Sequence, residues 1–250
     1  MRGVIVIPAR YASTRFPGKP LAMIAGVSLI QRVYERAVQS KRASAVYIAT
    51  DDDRIATHAA SFGGKIARPA GDFESGTDRI AAALDVIEAA ESATFDQVVN
   101  VQGDEPLIDP RSIDGLFETL ATTGVDMATL ATPIETEAEY LSRDVVKVVA
   151  DLEGNALYFS RAAIPFGSRE QARRHVGLYG YQAGVLRAFT RLAPSPLERA
   201  ESLEQLRALQ NGFKIRVQHT EKPHLGVDRP EDVGRVEEEL RTMRDRGGRS

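Results

Sequence analysis

Val4-Ile5-Val6-Ile7-Pro8-Ala9-Arg10, continuing as Tyr11-Ala12-Ser13-Thr14-Arg15-Phe16-Pro17-Gly18-Lys19-Pro20-Leu21, is the stretch on which the fold turns. Val4 to Ile7 are β-branched and apolar in an unbroken run, the signature of a buried strand. The chain then becomes basic and is stiffened by prolines around Gly18, which places Arg10, Arg15 and Lys19 on a loop at the carboxyl end of that strand. In open α/β sheets, ligands bind beyond those ends. A phosphate-rich ligand suits such a loop, and ordinary solvated cations are the alternative.

Outward from this loop, strand-like runs alternate with helical patterns. A helix is expected near 28–39, a strand at 46–49, a helix at 53–61, a strand at 65–67, a helix at 77–90 and a strand at 97–102. The helix after Gly76 is the clearest, because Ile80, Leu84 and Ile87 share one face and Ser75 and Thr77 offer capping hydroxyls. This βαβα order predicts an α/β fold, Rossmann-like and doubly wound. From Asp126 the pattern changes to strands at 127–132, 145–150, 156–159 and 176–185 with few helices, which suggests an antiparallel excursion and so a mixed sheet. A helix at 197–209, a strand at 214–218 and a helix from about 230, with Val233, Val236, Leu240 and Met243 at helical spacing, complete the chain. In the absence of repeats, low-complexity linkers or heptads, residues 1–240 are expected to form a single domain, with 127–190 as its antiparallel region and 241–250 as a basic tail.

Composition narrows the function classes. The 250 residues are 43% hydrophobic and 27% charged, as in ordinary globular proteins. A net charge of −3 argues against a protein built chiefly to bind nucleic acid, which makes the cations of the first loop a local device. The opening apolar run is too short for a signal-peptide core, and no run of about 18 apolar residues could cross a bilayer, so a cytoplasmic protein without a membrane partner is expected. With no cysteine, and four histidines lacking i, i+4 spacing, a bound metal would need oxygen ligands.

The first loop is not a Walker A loop, because Pro20 follows Gly18-Lys19 where a hydroxyl residue would hold magnesium. Gly-x-Gly-x-x-Gly is also absent. Phosphate would therefore be held by side chains, with Arg10 and Arg15 as planar forks and Lys19 as a point charge. Asn100-Val101-Gln102-Gly103-Asp104-Glu105-Pro106 ends a strand in two acids; Asp104 is a magnesium candidate, and a simple turn is the alternative. Asp228, just before Pro230-Glu231-Asp232, is a second candidate carboxylate, although a helix N-cap accounts for it more simply. Ser75-Gly76-Thr77-Asp78-Arg79 opens a helix whose free amides suit an anion or merely a cap. Composition leaves open whether the polar and aromatic segments around Arg161, His175 to Tyr181 and Glu204-Gln205 bind anything.

Taken in order, these segments carry a resemblance. The runs 7–15, 17–21, 49–51, 75–79, 100–106, 156–161, 175–181, 194–198, 203–207, 226–228 and 230–232 together resemble the 3-deoxy-manno-octulosonate cytidylyltransferases, or CMP-Kdo synthetases, over about residues 3–240. The resemblance implies a nucleotide-diphospho-sugar transferase type of fold. It also implies magnesium-dependent transfer of CMP from CTP to Kdo with release of diphosphate, for lipopolysaccharide biosynthesis. By that resemblance Arg10, Arg15, Lys19, Ser75 and Arg79 would bind nucleotide, and Asp104 and Asp228 would hold Mg2+. Lys19, Asp104 and Asp228 would be the catalytic set. Gln102, Arg161, His175, Tyr179, Glu204 and Gln205 would face the sugar. The family is typically a homodimer formed through the antiparallel region. Rival readings are a CMP-sialic acid synthetase, whose first loop would read differently after Pro-Ala-Arg, and a nucleotide-binding module without chemistry. Kdo and an 8-amino analogue are not separated by the sequence.

Overall fold

A computed structural model of the chain describes residues 1–12, 15–73, 75–221 and 225–247. Ser13 and Thr14 of the opening loop, and the last three residues of the basic tail, lie outside the described residues. In chain order the elements are β1 (Gly3–Pro8), a 3-10 turn (Lys19–Leu21), β2 (Met23–Ile24), β3 (Val27–Ser28), α1 (Leu29–Ala37), β4 (Ala43–Ala49), α2 (Asp53–Ser61), β5 (Ile66–Ala67), α3 (Gly76–Glu91), β6 (Gln97–Asn100) and α4 (Pro110–Leu120). There follow β7 (Met127–Pro133), α5 (Glu137–Leu141), β8 (Lys147–Ala150), β9 (Ala156–Ser160), a 3-10 turn (Arg169–Gln171), β10 (Arg173–Gln182), α6 (Ala183–Phe189), α7 (Pro196–Glu201), α8 (Gln205–Gln210), β11 (Ile215–His219) and α9 (Asp232–Gly247).

The chain divides into two compact units. The first comprises Val4–Thr94, Asn100–Pro110 and His224–Ser250; the second comprises Met1–Gly3, Phe95–Val99 and Arg111–Pro223.

In the first unit the strands run in the order β1-β4-β5, with β4 and β5 parallel. Val4, Ile5, Val6 and Ile7 have no exposed surface, as the opening run predicts. The helices around them start on side-chain caps: Ser28 accepts from the Gln31 amide, Asp52 from Arg54 and Ile55, and Ser75 from Asp78. Ile80, Leu84 and Ile87 of α3 are buried on the expected face. The β2–β3 hairpin turns on Ala25 and Gly26, both with positive φ, and Glu237 of α9 accepts the Ala25 amide at 2.7 Å.

The second unit holds the order β11-β7-β10-β6. β11 lies parallel to β7, whereas β10 is antiparallel to it, and β8 pairs antiparallel with both β9 and β10. This is the expected antiparallel excursion. Between Val176 and Tyr179 the register of β10 slips against β7, and the Thr129 hydroxyl lies 3.2 Å from the Val176 carbonyl and 2.9 Å from that of Leu178, within hydrogen-bond reach of both.

Several elements differ from expectation: β2, β3 and α5 have no expected counterpart. α4 goes unpredicted although Ile113, Leu116, Phe117 and Leu120 are buried at helical spacing. The strand expected to reach Val185 ends at Gln182, where its side chain donates to the Leu120 and Val125 carbonyls and α6 begins. The single helix expected over 197–209 is two, because Ser202 adopts the left-handed conformation that ends α7.

Candidate active site

The first unit contains a cleft of about 280 Å³ that gathers the phosphate-loop candidates: Arg10, Arg15, Lys19, Ser75, Arg79, Gln102, Asp104 and Asp228 all line it. Local chemistry explains how each arrives there. Gly18, at φ 71, opens the 3-10 turn that carries Lys19, and its amide donates to the Tyr11 carbonyl at 3.0 Å, folding the loop back on itself. Gly103 brings the acidic strand end close to β1; a Cβ there would stand 2.8 Å from the Pro8 carbonyl oxygen. The Glu105 amide donates to the Gln102 carbonyl at 3.2 Å, so this segment is a turn and also aims Asp104 into the cleft.

Lys19 Nζ donates to Asp104 Oδ2 at 2.8 Å and lies 3.6 Å from Asp228 Oδ1, while Arg15 stands 3.6 Å from the same Asp228 oxygen. Burial pushes the Asp104 carboxyl above its ordinary value, and the Lys19 ammonium opposes that rise. The Asp228 amide is taken by the Asp232 carboxylate at 2.9 Å, as is that of Arg229, so Asp232 supplies the turn-closing acceptor and the Asp228 carboxylate is left to face Lys19 and Arg15. Asp104 and Asp228 thus already hold one cation, the Lys19 ammonium, between hard oxygen donors. That donor set fits magnesium, which takes one or two carboxylates and completes its shell with water and phosphate oxygens. Among the described residues no group of three or more His, Asp or Glu side chains could hold a metal by itself.

On another wall Ser75 caps α3, accepting from the Asp78 amide at 3.1 Å and donating to its carboxylate at 2.9 Å. The helix dipole favours an anion here. Arg79 is buried, paired with Asp51 at 2.7 Å and seated 5.1 Å from the Phe73 ring centroid. Asp51 and Phe73 are not among the site residues expected from sequence, although Asp51 lies two residues past the end of β4, where an acid at a strand's carboxyl end is a usable signal.

The second unit places the remaining candidates. His175 lies edge-on to Phe159 at 5.0 Å and beside Tyr179 at 5.3 Å, with Thr129 Oγ1 3.1 Å from its Nε2. Burial pushes the His175 pKa down to about 3, so the ring is neutral at pH 7 and acts by hydrogen bonding and packing. The Tyr179 hydroxyl and Gln205 Nε2 are buried without a hydrogen-bond partner among the described residues. Unpaired buried polar atoms are costly, and a bound polar ligand is one way to satisfy them. Arg161 is held at Nε by the Glu201 carbonyl and at Nη1 by the Arg143 carbonyl. Glu204 stands 3.9 Å from Arg207. Gln102 sits instead in the first unit's cleft. Glu201, which accepts from Ser160 Oγ, the Arg161 amide and Tyr158, was not singled out by sequence.

Comparison with known proteins first gives the class: residues 4–215 match the cytidylyltransferase family model. A 3-deoxy-manno-octulosonate cytidylyltransferase from Syntrophotalea carbinolica is 50% identical over 252 residues, covering 95% of this chain and 98% of its own. One from Geobacter sulfurreducens is 47% identical over 251 residues, covering 94% and 98%. The solved structure of CMP:2-keto-3-deoxy-manno-octonic acid synthetase complexed with CTP matches with a TM-score of 0.90 at 40% identity, over 97% of this chain and 100% of that one. The chain belongs to the 3-deoxy-manno-octulosonate cytidylyltransferase family. Among the described residues, no helix is long and apolar enough to cross a membrane.

Proposed function

We propose that this protein is an enzyme that transfers CMP from CTP to the anomeric hydroxyl of 3-deoxy-manno-octulosonate, releasing diphosphate, with Mg2+ as cofactor, in the cytoplasm and as a homodimer, for lipopolysaccharide biosynthesis. The observation that carries the reading is the convergence of Arg15 and Lys19 with Asp104 and Asp228 in one cleft headed by the N-terminus of α3.

In this reading the bond from the sugar oxygen to the α-phosphorus forms as the bond to the β-phosphate oxygen breaks. Diphosphate leaves with the bonding electrons, and the sugar hydroxyl loses its proton. Such a transfer asks the protein chiefly for positioning and charge stabilisation. Arg10, Arg15 and Lys19 grip the triphosphate, while Ser75 and the first-turn amides of α3 add neutral donors. Arg79, fixed by Asp51 and Phe73, presents its charge without a mobile side chain. Asp104 and Asp228 would hold a magnesium ion, which when bound would offset phosphate charge. Arg161 contributes the cation for the sugar carboxylate, and His175, Tyr179, Glu204 and Gln205 contribute hydrogen bonds to its hydroxyls. The unpaired Tyr179 hydroxyl and Gln205 amide support this use.

The test is a diphosphate-release screen of the four ribonucleoside triphosphates against Kdo, 8-amino-Kdo and sialic acid, with and without Mg2+. Turnover confined to CTP, Kdo and Mg2+ is the expected result. Preference for sialic acid or 8-amino-Kdo would reassign the acceptor, and no release with any pair would leave a nucleotide-binding module.

A further inference from the structure

Lys147 is fully buried, and burial pushes its ammonium pKa down. All three of its N–H donors are used on main-chain carbonyls: Ser142 at 2.7 Å, Val145 at 2.6 Å and Arg161 at 2.7 Å. The preceding peptide, on the other side of the Arg161 Cα, is held by an opposite charge. Glu201, at the end of α7, accepts the Arg161 amide on Oε2 at 2.9 Å and the Ser160 hydroxyl on Oε1 at 2.7 Å. Its own carbonyl accepts from Arg161 Nε at 2.9 Å, and the Arg143 carbonyl accepts from Nη1 at 3.1 Å.

Arg161 is therefore pinned at its amide, its carbonyl and the root of its guanidinium. A guanidinium carries five donors, and among the described residues the Nη2 group has no partner. A chain that needed only to fill this volume would do as well with an apolar side chain, since a buried ammonium must recover a large desolvation cost. What the two charges produce is one fixed direction for Arg161.

We propose that Lys147 and Glu201 are positioning residues for the acceptor, holding the two peptides that flank the Arg161 Cα so that its guanidinium is preset for the carboxylate of a sugar acid. This rests on the reading of Arg161 as an acceptor contact. Neither residue touches substrate. Both act on the affinity for the sugar acid and leave the nucleotide cleft untouched.

The test is steady-state diphosphate release by the full chain, with KM measured separately for CTP and Kdo, on Lys147→Met, Glu201→Gln, Arg161→Ala and the Lys147→Met/Arg161→Ala double variant. Thermal unfolding accompanies each. Lys147→Met is expected to raise the Kdo KM about tenfold to a hundredfold, with the CTP KM within about twofold of the parent. The double variant is expected to be no worse toward Kdo than Arg161→Ala alone, because the two residues act through one contact.

A Kdo KM within about twofold of the parent, equal losses toward both substrates, or losses that multiply in the double variant would each overturn the positioning role. If Lys147→Met does not fold, Glu201→Gln decides on the same criteria. Arg161→Ala with an unchanged Kdo KM would remove the underlying acceptor reading, whereas a raised Kdo KM in Arg161→Ala with an unchanged one in Lys147→Met and Glu201→Gln would remove the clamp alone.

Discussion

Lys19→Met removes the ammonium that stands 2.8 Å from Asp104 and 3.6 Å from Asp228 while keeping most of the apolar stem. The Asp228 side chain is 57% exposed, so that contact is screened by water and contributes at most about 1 kcal/mol. The Lys19 and Asp104 side chains are 17% and 31% exposed, and their contact is a charge-assisted hydrogen bond of about 1.5–3 kcal/mol. Without the ammonium, two carboxylates face an arriving triphosphate that has also lost one of its cations. Both effects oppose CTP, so the expected loss is about 2–3 kcal/mol, or roughly 30- to 150-fold in the CTP Kd. Titration calorimetry with CTP in the absence of acceptor measures this directly, and thermal unfolding checks the fold. A variant that folds normally and binds CTP within about threefold of the parent would refute the assignment and reduce Lys19 to a partner of Asp104.

Asp104→Asn is expected to retain the fold, since it removes a charge held in a poorly solvated place, and to lose nearly all turnover; near-normal diphosphate release would sink its metal role. His175, with its pKa pushed down to about 3, contributes stability at pH 7 that is lost as pH falls from about 6.5 toward 3, because the unfolded chain takes up the proton first. His175→Gln should flatten that part of the stability curve, and an imidazole resonance titrating near pH 6.5 in the folded protein would contradict this. Arg207→Met strips a bidentate partner from Glu198, whose side chain is 12% exposed and completes the Ser195 capping box, and should cost about 3–5 kcal/mol in urea unfolding; a loss below about 1 kcal/mol would show the pair to be dispensable. Light scattering should report a dimer, and a lone 27.3 kDa species would count against the proposed homodimer.

Elements whose signals are local can be read from the chain alone. Val4 to Ile7 read as a buried strand because nothing in the run tolerates water, and α3 read as a helix because its cap and its apolar spacing agree. α4 was equally legible, since Ile113, Leu116, Phe117 and Leu120 recur at helical period, and it went unread behind a proline and a glycine. The end of β10 was not legible. It is set by Gln182 reaching carbonyls of a segment distant in the chain, a contact that leaves no local trace. Nor was the break at Ser202, which the surrounding 197–209 periodicity overrides on paper.

The same division runs through the site. Residue types and spacing singled out the cations of the first loop and Asp104 as candidates for phosphate and magnesium, whereas Asp228 read more simply as a cap. The direction of the Asp228 carboxylate is set by tertiary packing. Local pattern made it a cap; in the fold Asp232 accepts the Asp228 and Arg229 amides to close a turn, and the Asp228 carboxylate faces Lys19. Only the structure showed that His175 is neutral, that Arg79 leans on Asp51 and Phe73, and that Lys147 and Glu201 grip Arg161. The physical reason is common to all of them: desolvation, pairing and hydrogen-bond direction depend on which distant segments share a volume, and composition along a chain carries no record of that sharing.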